Sequence, residues 1–257
     1  MLTNYHTHTH RCRHAVGAEK EYIDCALQGG LKTLGFSDHT PYGFPGDYYS
    51  RFRMFPEQLN DYCATVLALK KDYSDRIQIR LGLEVEYYPD LFPRLLEQLQ
   101  DLPVEYMLLG QHFIGNEINE PYSGNPTDSE AVLSAYCRQV MDAMQTGLFT
   151  YLAHPDLLWF VGEDAIYRKH MVQLCREAKS CGIPLEINGV GLRSGRNYPD
   201  LRFWELAGQE GCTVLFGCDA HAPHHVCDLE SYAKAQKIAS TCGLELVKDV
   251  KLVPISK

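Results

Sequence analysis

Short apolar runs alternate with amphipathic stretches along most of the chain, in the rhythm of strand followed by helix. Residues 2–5, 33–36, 77–85, 106–110, 150–153, 184–187 and 213–217 read as seven strands. Between them the apolar spacing turns helical. A helix over 21–27 stops at Gly29-Gly30, and Pro56 opens another whose Leu59, Tyr62, Val66 and Leu69 share one face. Further helices are expected over 91–99, from a capping box of Thr127 with Glu130 to near Gly147, over 165–179 before Gly182, over 202–209, and over 229–241 before Gly243. A loop rich in Tyr, Gly, Pro and Arg covers 40–55, and the tail offers one more strand. This order predicts one α/β domain over residues 1–257, an irregular (β/α)7 TIM-like barrel one unit short of eight. A doubly wound open sheet is the alternative, but it would gather ligands at one switch point rather than after nearly every strand.

Chemistry sits at the ends of those strands. Seven of the eleven histidines, with one Glu and one Asp, follow apolar runs: His6 and His8 in NYHTHTH, His14, His39 in GFSDHT, Glu84 in LGLEVE, His112 in LLGQH, His154 in YLAHP, and Asp219 with His221 in FGCDAH. All are residue types that bind borderline divalent metals, and strand C-terminal ends are where a parallel barrel carries its site. His6 and His8 are two apart, so on an extended strand both rings point to the same side. Glu84 closes its strand and is placed to bridge two cations, whereas Glu86 reads as a solvated rim charge. His154 before Pro155 fits a plain turn equally well, and Asp219 a helix cap. His10 continues the His6/His8 spacing and either substitutes for one of them or faces solvent. His170 is expected on an exposed helix face, and His224 and His225 in a loop with no assigned role.

Composition narrows the class. A 257-residue chain with 45% hydrophobic content supports a sizeable core, and no apolar run approaches the ~20 residues of a membrane span. The first ten residues carry no signal-peptide pattern, so a soluble cytoplasmic protein is expected. Ten scattered cysteines without a C-x-x-C pair read as reduced thiols. A net charge of −9 disfavours a nucleic-acid partner and leaves room for a small anion held by a local cation cluster.

The segments NYHTHTH, CRHA, GFSDHT, GLEVEY, LLGQHFIG, AHPDL, EINGVGLRSGRNYP and GCDAHAP together resemble the polymerase and histidinol phosphatase (PHP) superfamily, above all its histidinol-phosphate phosphatase branch. The resemblance implies three divalent ions, zinc, iron or manganese. One would be held by His6, His8, Glu84 and Asp219, a second by Glu84, His112 and His154, and a third by His14, His39 and His221. It implies Arg193 as the phosphate contact, with Arg196 nearby, and Glu84, Asp219 and Arg193 as the catalytic set. Two positions depart from the pattern. Asn4 stands where Asp is common, and the stretch after His154-Pro155 reads Asp156-Leu157-Leu158-Trp159-Phe160, without the basic residue often found there.

The expected activity is hydrolysis of a small phosphorylated substrate, L-histidinol phosphate foremost, by a metal-bridging hydroxide. A DNA end or another phosphate ester is the alternative, and a non-catalytic, metal-stabilised module a third. The leaving oxygen would take its proton from Asp219, a nearby His or solvent. Tyr42, Tyr48, Tyr49, Arg51 and Arg53 either shape substrate access or simply pack their loop.

Overall fold

The computed structural model describes residues 1–118 and 121–255. Seven strands form one all-parallel sheet in sequence order: β1 (Thr3–Asn4), β2 (Thr33–His39), β3 (Gln78–Val85), β4 (Tyr106–Leu109), β5 (Tyr151–Leu152), β6 (Leu185–Asn188) and β7 (Val214–Gly217). Helices α1 (Glu19–Gln28), α2 (Leu59–Asp72), α3 (Phe92–Leu99), α4 (Glu130–Gln145), α5 (Asp164–Cys181), α6 (Gly189–Ser194), α7 (Leu201–Glu210) and α8 (Leu229–Thr241) fill the crossovers and the C-terminal region. Sequential neighbours throughout rule out the doubly wound order, which reverses at a switch point.

Closure comes from the site itself. Beyond the ends of β1 and β7, Thr7 and Ala220 form a parallel bridge, with the His8 amide donating to the Ala220 carbonyl at 2.9 Å and the Ala220 amide to His6 at 3.1 Å. The backbone that joins first strand to last therefore carries His6, His8 and Asp219. At the opposite end the expected extra tail strand is reduced to one parallel bridge, Val214 with Leu246. From there Val250 and Leu252 pack on Tyr5, Tyr106, Tyr151 and Leu215.

Tyr5, Tyr106, Leu108, Tyr151, Ala153 and Leu215 form one buried cluster, with the Tyr106 ring at its centre. Tyr106 is fully buried, and its hydroxyl donates to the carbonyls of Tyr5 (2.7 Å) and Phe36 (3.2 Å) on the far wall. Gly82 faces that ring. A Cβ there would lie 2.6 Å from Tyr106 Cε2, far inside carbon–carbon contact.

Three further expectations change. β2 runs on through Ser37-Asp38 to His39, because Ser37 and Asp38 are wholly buried and pair with Gly82 and Leu83. The cap of α4 is Ser129, whose hydroxyl accepts from the Val132 amide. Thr127 is unavailable for that role, since its amide donates to Trp159 and its carbonyl accepts from Val161 in an extended pairing. Helix α6 was not anticipated. Two glycines in six residues disfavour it, and Asn188 starts it by accepting from the Gly191 amide at 3.2 Å.

Candidate metal centre

Every one of the nine residues singled out from the sequence reaches the C-terminal mouth of the barrel. His39 ends β2 and pairs with Glu84 on β3, while His112, His154, Asp219 and His221 lie just past β4, β5 and β7. His154 and Asp219 sit in the left-handed region, with φ of 32° and 49°. Such backbone costs about 1–3 kcal/mol per residue and persists where the surroundings demand it. Both residues turn the chain sharply at a strand end.

Glu84 is the hub. Its Oε1 lies 2.9 Å from His154 Nε2 and 3.8 Å from His112 Nε2. Its Oε2 lies 2.9 Å from His39 Nδ1, 3.5 Å from His8 Nε2 and 3.6 Å from His6 Nε2. One carboxylate thus shows a different group of imidazoles to each oxygen, as a bridging ligand does. Asp219 Oδ1 joins the second group, 3.2 Å from His8 Nε2 and 3.6 Å from His6 Nε2. His14, His39 and His221 form another compact set, with the Nε2 atoms of His14 and His221 only 2.9 Å apart.

The residues fit divalent cations. His6 Nε2, both ring nitrogens of His8, Glu84 Oε2 and Asp219 Oδ1 are buried without a hydrogen-bond partner. Unsatisfied buried polar atoms are rare unless something else satisfies them. Burial alone would lower the affinity of His6 and His8 for protons. The carboxylates around them reverse the sign, and the nearby Asp219 and Asp38 bring His8 up to about 9. Burial likewise works against an ionised Glu84, yet His39, His6 and His112 hold its carboxyl well below the usual range. This is a dense cluster of imidazole and carboxylate donors, the set preferred by zinc, iron and manganese.

Behind the donors stand groups the sequence reading missed. Glu186 Oε2 lies 2.9 Å from His6 Nδ1, and Asp38 Oδ1 3.5 Å from His8 Nδ1. The Cys12 carbonyl lies 2.9 Å from His14 Nδ1. Each leaves Nε2 as the inward nitrogen, the arrangement that orients metal-binding histidines. The signal for Glu186 was its place inside the apolar strand LEIN, since a carboxylate is seldom fully buried without a partner. Gly217 makes space for it, because a Cβ there would lie 2.5 Å from Glu186 Cδ. Glu86 is not the solvated rim charge expected. It is 1% exposed, and its Oε1 takes the His112 amide at 2.9 Å and faces His112 Nδ1 at 3.0 Å. Asn4 leaves the His6 ring to Glu186, donating instead to Thr7 Oγ1 and accepting from the Cys218 amide.

A cavity of about 440 Å³ opens over the cluster. Arg193 and Arg196 line it. Arg193 is anchored by donating to the carbonyls of Cys218 (2.8 Å) and Asp219 (2.6 Å). From the stretch after His154-Pro155 only Leu157 reaches this wall. Asp156 turns away, its Oδ2 accepting from the Asp200 amide and Trp204 Nε1. Of the loop over 40–55, only Phe52 lines the cavity, so Tyr42, Tyr48, Tyr49, Arg51 and Arg53 do not form its wall. His225 borders it, pushed down to about 4 by burial and by Arg193. His10 is exposed, and His170, expected to be exposed, is partly covered and bonded to Glu130. No helix among the described residues is long and apolar enough to cross a membrane.

Comparison with known proteins identifies the family and the fold. The PHP domain model matches residues 4–189. A probable histidinol-phosphatase of Deinococcus radiodurans is 30% identical over 236 residues, 88% of each chain. One from Schizosaccharomyces pombe is 29% identical, over 95% of this chain and 88% of its own. The crystal structure of Lactococcus lactis histidinol phosphate phosphatase with zinc, L-histidinol and phosphate superposes with a TM-score of 0.76 at 19% identity, covering 100% of this chain and 99% of that one. That likeness shows the shared irregular barrel. With a family match spanning most of its length and a relative at 30% identity, this chain belongs to the PHP domain family.

Proposed function

We propose that the protein is a metal-dependent phosphomonoesterase that hydrolyses L-histidinol phosphate to L-histidinol and phosphate. The observation that carries the reading is Glu84, one oxygen toward His112 and His154 and the other toward His6, His8 and His39, beneath a cavity walled by two arginines. The names of the Deinococcus, fission-yeast and Lactococcus relatives supply the substrate.

We assign three divalent cations to the cluster: one to His6, His8, Glu84 and Asp219, one to Glu84, His112 and His154, and one to His14, His39 and His221. Cations held there supply Lewis acidity and a nucleophilic water near neutral pH. The protein's own side chains do the rest. Arg193, pinned to the Asp219 turn, and Arg196, with one Nη 3.5 Å from the Tyr122 hydroxyl, attract the phosphate dianion into an otherwise acidic molecule. Their charge opposes the negative charge on the non-bridging oxygens as the leaving group departs. Asp219, kept ionised by His6, His221 and His8 against the effect of burial, offers Oδ1 to the first cation site while its Oδ2 accepts from Asn188 Nδ2 at 3.1 Å, which fixes the carboxylate beside the reacting centre. Phe52, Phe113 and Leu157 give the alcohol side an apolar wall that keeps bulk water off.

Residues 1–257 act as one domain in this reading. Ten unpaired thiols suit a reducing compartment, and we assign the protein to the cytoplasm. The test is phosphate release from L-histidinol phosphate and from p-nitrophenyl phosphate by metal-loaded protein. A much higher kcat/KM on the first supports the assignment. Equal, poor rates on both move it to another phosphate ester.

A further inference from the structure

Arg53 is the most deeply buried cation outside the cavity wall, 1% exposed although it belongs to the irregular loop before α2. A guanidinium is not buried without a complete set of acceptors. Here Nε donates to Glu117 Oε2 at 2.7 Å and Nη1 to the Thr40 carbonyl at 3.3 Å. Nη2 donates to Glu86 Oε2, with the Tyr88 hydroxyl as a second donor on that same oxygen. Those two donors occupy one side of the Glu86 carboxylate. The other oxygen, Oε1, is thereby turned to His112, where it meets both the backbone amide (2.9 Å) and ring Nδ1 (3.0 Å). An ionised carboxylate only accepts, so Nδ1 must carry the ring proton and Nε2 the free lone pair. That lone pair faces the Glu84 side of the cluster, 3.8 Å from Oε1.

We propose that Arg53 is a positioning residue which, through Glu86, sets the ring orientation and tautomer of His112 and so secures the cation shared by His112, His154 and Glu84. This rests on the reading of His112 as a ligand. The loop is held from a second side as well. Arg13, which precedes His14, donates to the carbonyls of Ser50 and Arg53. The Tyr48 hydroxyl, on the same loop, donates to Glu117 at 2.8 Å. Arg53 thus has a fixed backbone and a fixed guanidinium, and Glu86 has little freedom to rotate away from the imidazole. Among the residues around the cluster, His154 has no such carboxylate behind its outer nitrogen, since Nδ1 is buried without a partner. The His112–His154 side therefore depends on this single support.

The test uses the metal-loaded protein and the variants Arg53→Met, Arg53→Lys and Glu86→Gln. In Glu86→Gln the side-chain amide cannot present oxygen to both sides. Arg53 and Tyr88 require an acceptor at one position and the His112 amide requires one at the other, so whichever way the new amide lies a donor meets a donor. Metal content is measured against rising chelator, alongside thermal unfolding, kcat and KM. The expected result is a folded Arg53→Met and Glu86→Gln protein in which one metal equivalent is lost at about 10- to 100-fold lower chelator than in wild type, the remaining metal being retained. Loss of kcat exceeds any change in KM, and Arg53→Lys restores part of both metal retention and kcat. A folded variant that keeps its full metal complement at wild-type chelator resistance overturns the proposal, whatever its melting temperature. Should Arg53→Met not fold, Glu86→Gln decides by the same criterion. Metal retention needs no substrate, so a wild-type protein that holds its metals without hydrolysing phosphate esters would fail the phosphatase reading and leave this inference standing.

Discussion

Gly110 offers the sharpest test of how the centre is built. It directly follows β4, has an ordinary negative-φ backbone, and faces the Glu84 side chain. A Cβ added there would lie 2.7 Å from Glu84 Cδ and 2.8 Å from Cγ. Ordinary carbon–carbon contact is ~3.5 Å, so in Gly110→Ala the carboxylate has to retreat by roughly 0.8 Å. It has no free direction, being 2% exposed and ringed by five histidines. Overpacking of this kind costs ~1–3 kcal/mol, and loss of glycine freedom in the unfolded chain returns ~0.4–1 kcal/mol. At ~2–4 °C per kcal/mol, the melting temperature should fall by no more than about 10 °C.

Activity should fall much further, because a displacement near 1 Å at the reacting centre costs on the order of 100-fold. The assay pairs kcat/KM for the phosphate ester with metal content and thermal unfolding, using Gly43→Ala as the reference. A methyl at Gly43 meets nothing nearer than Arg94 Cζ at 3.9 Å, so all three quantities should stay at wild type. Gly110→Ala protein with full metal content and kcat/KM within about threefold of wild type would refute the claim that Glu84 bridges the two histidine groups.

Other consequences can be measured directly. Glu186→Gln removes the carboxylate behind His6 and should weaken metal retention by about 10- to 100-fold, read by chelator competition. Arg193→Ala should raise KM for phosphate esters by tenfold or so, at ~1.4 kcal/mol per decade, and an unchanged KM would remove Arg193 from the phosphate site. Chelation should abolish hydrolysis and lower the melting temperature, with both restored by added zinc or manganese; activity indifferent to chelator would rule out a metal-dependent enzyme. Metal-free protein should show its own pH dependence. His8 is raised to about 9 against an unfolded value near 6.5, so its stabilisation is complete below pH 6.5 and lost as pH rises through 9. His6 shifts in the same direction, and metal binding at pH 7 should release protons from both, visible as buffer-dependent heats in calorimetry.

Much of this was legible in the primary structure, for a physical reason. A parallel barrel puts its ligands at strand ends, so each donor sits next to the apolar run that positions it, and H-x-H, GLEVE and GCDAH can be read locally. The strand limits were harder where the site begins. β2 looked finished at Phe36 because Ser37, Asp38 and His39 are polar, yet all three continue the ladder, buried by the cluster they serve. Helix α6 was invisible because its start depends on Asn188 and its glycines on close approach: a Cβ at Gly191 would lie 2.6 Å from Tyr198 Cε2. Capping by Thr127 was overridden by its pairing with the Trp159–Val161 backbone.

The supports were less readable than the proposed ligands because their partners are remote. Glu186 is separated from His6 by 180 positions and Arg53 from Glu86 by 33. Neither spacing carries a local signature. What could have been read is a cost: Glu86 and Glu186 lie in or beside strands rich in Leu, Ile and Val, and burying an ionised carboxylate there is unfavourable unless a donor comes to meet it. The same reasoning turns Gly110 and Gly217 from generic strand glycines into space reserved for Glu84 and Glu186. In this barrel a carboxylate in an apolar strand, and a glycine opposite it, together locate the floor of the centre. The histidines that follow the strands then need only be counted.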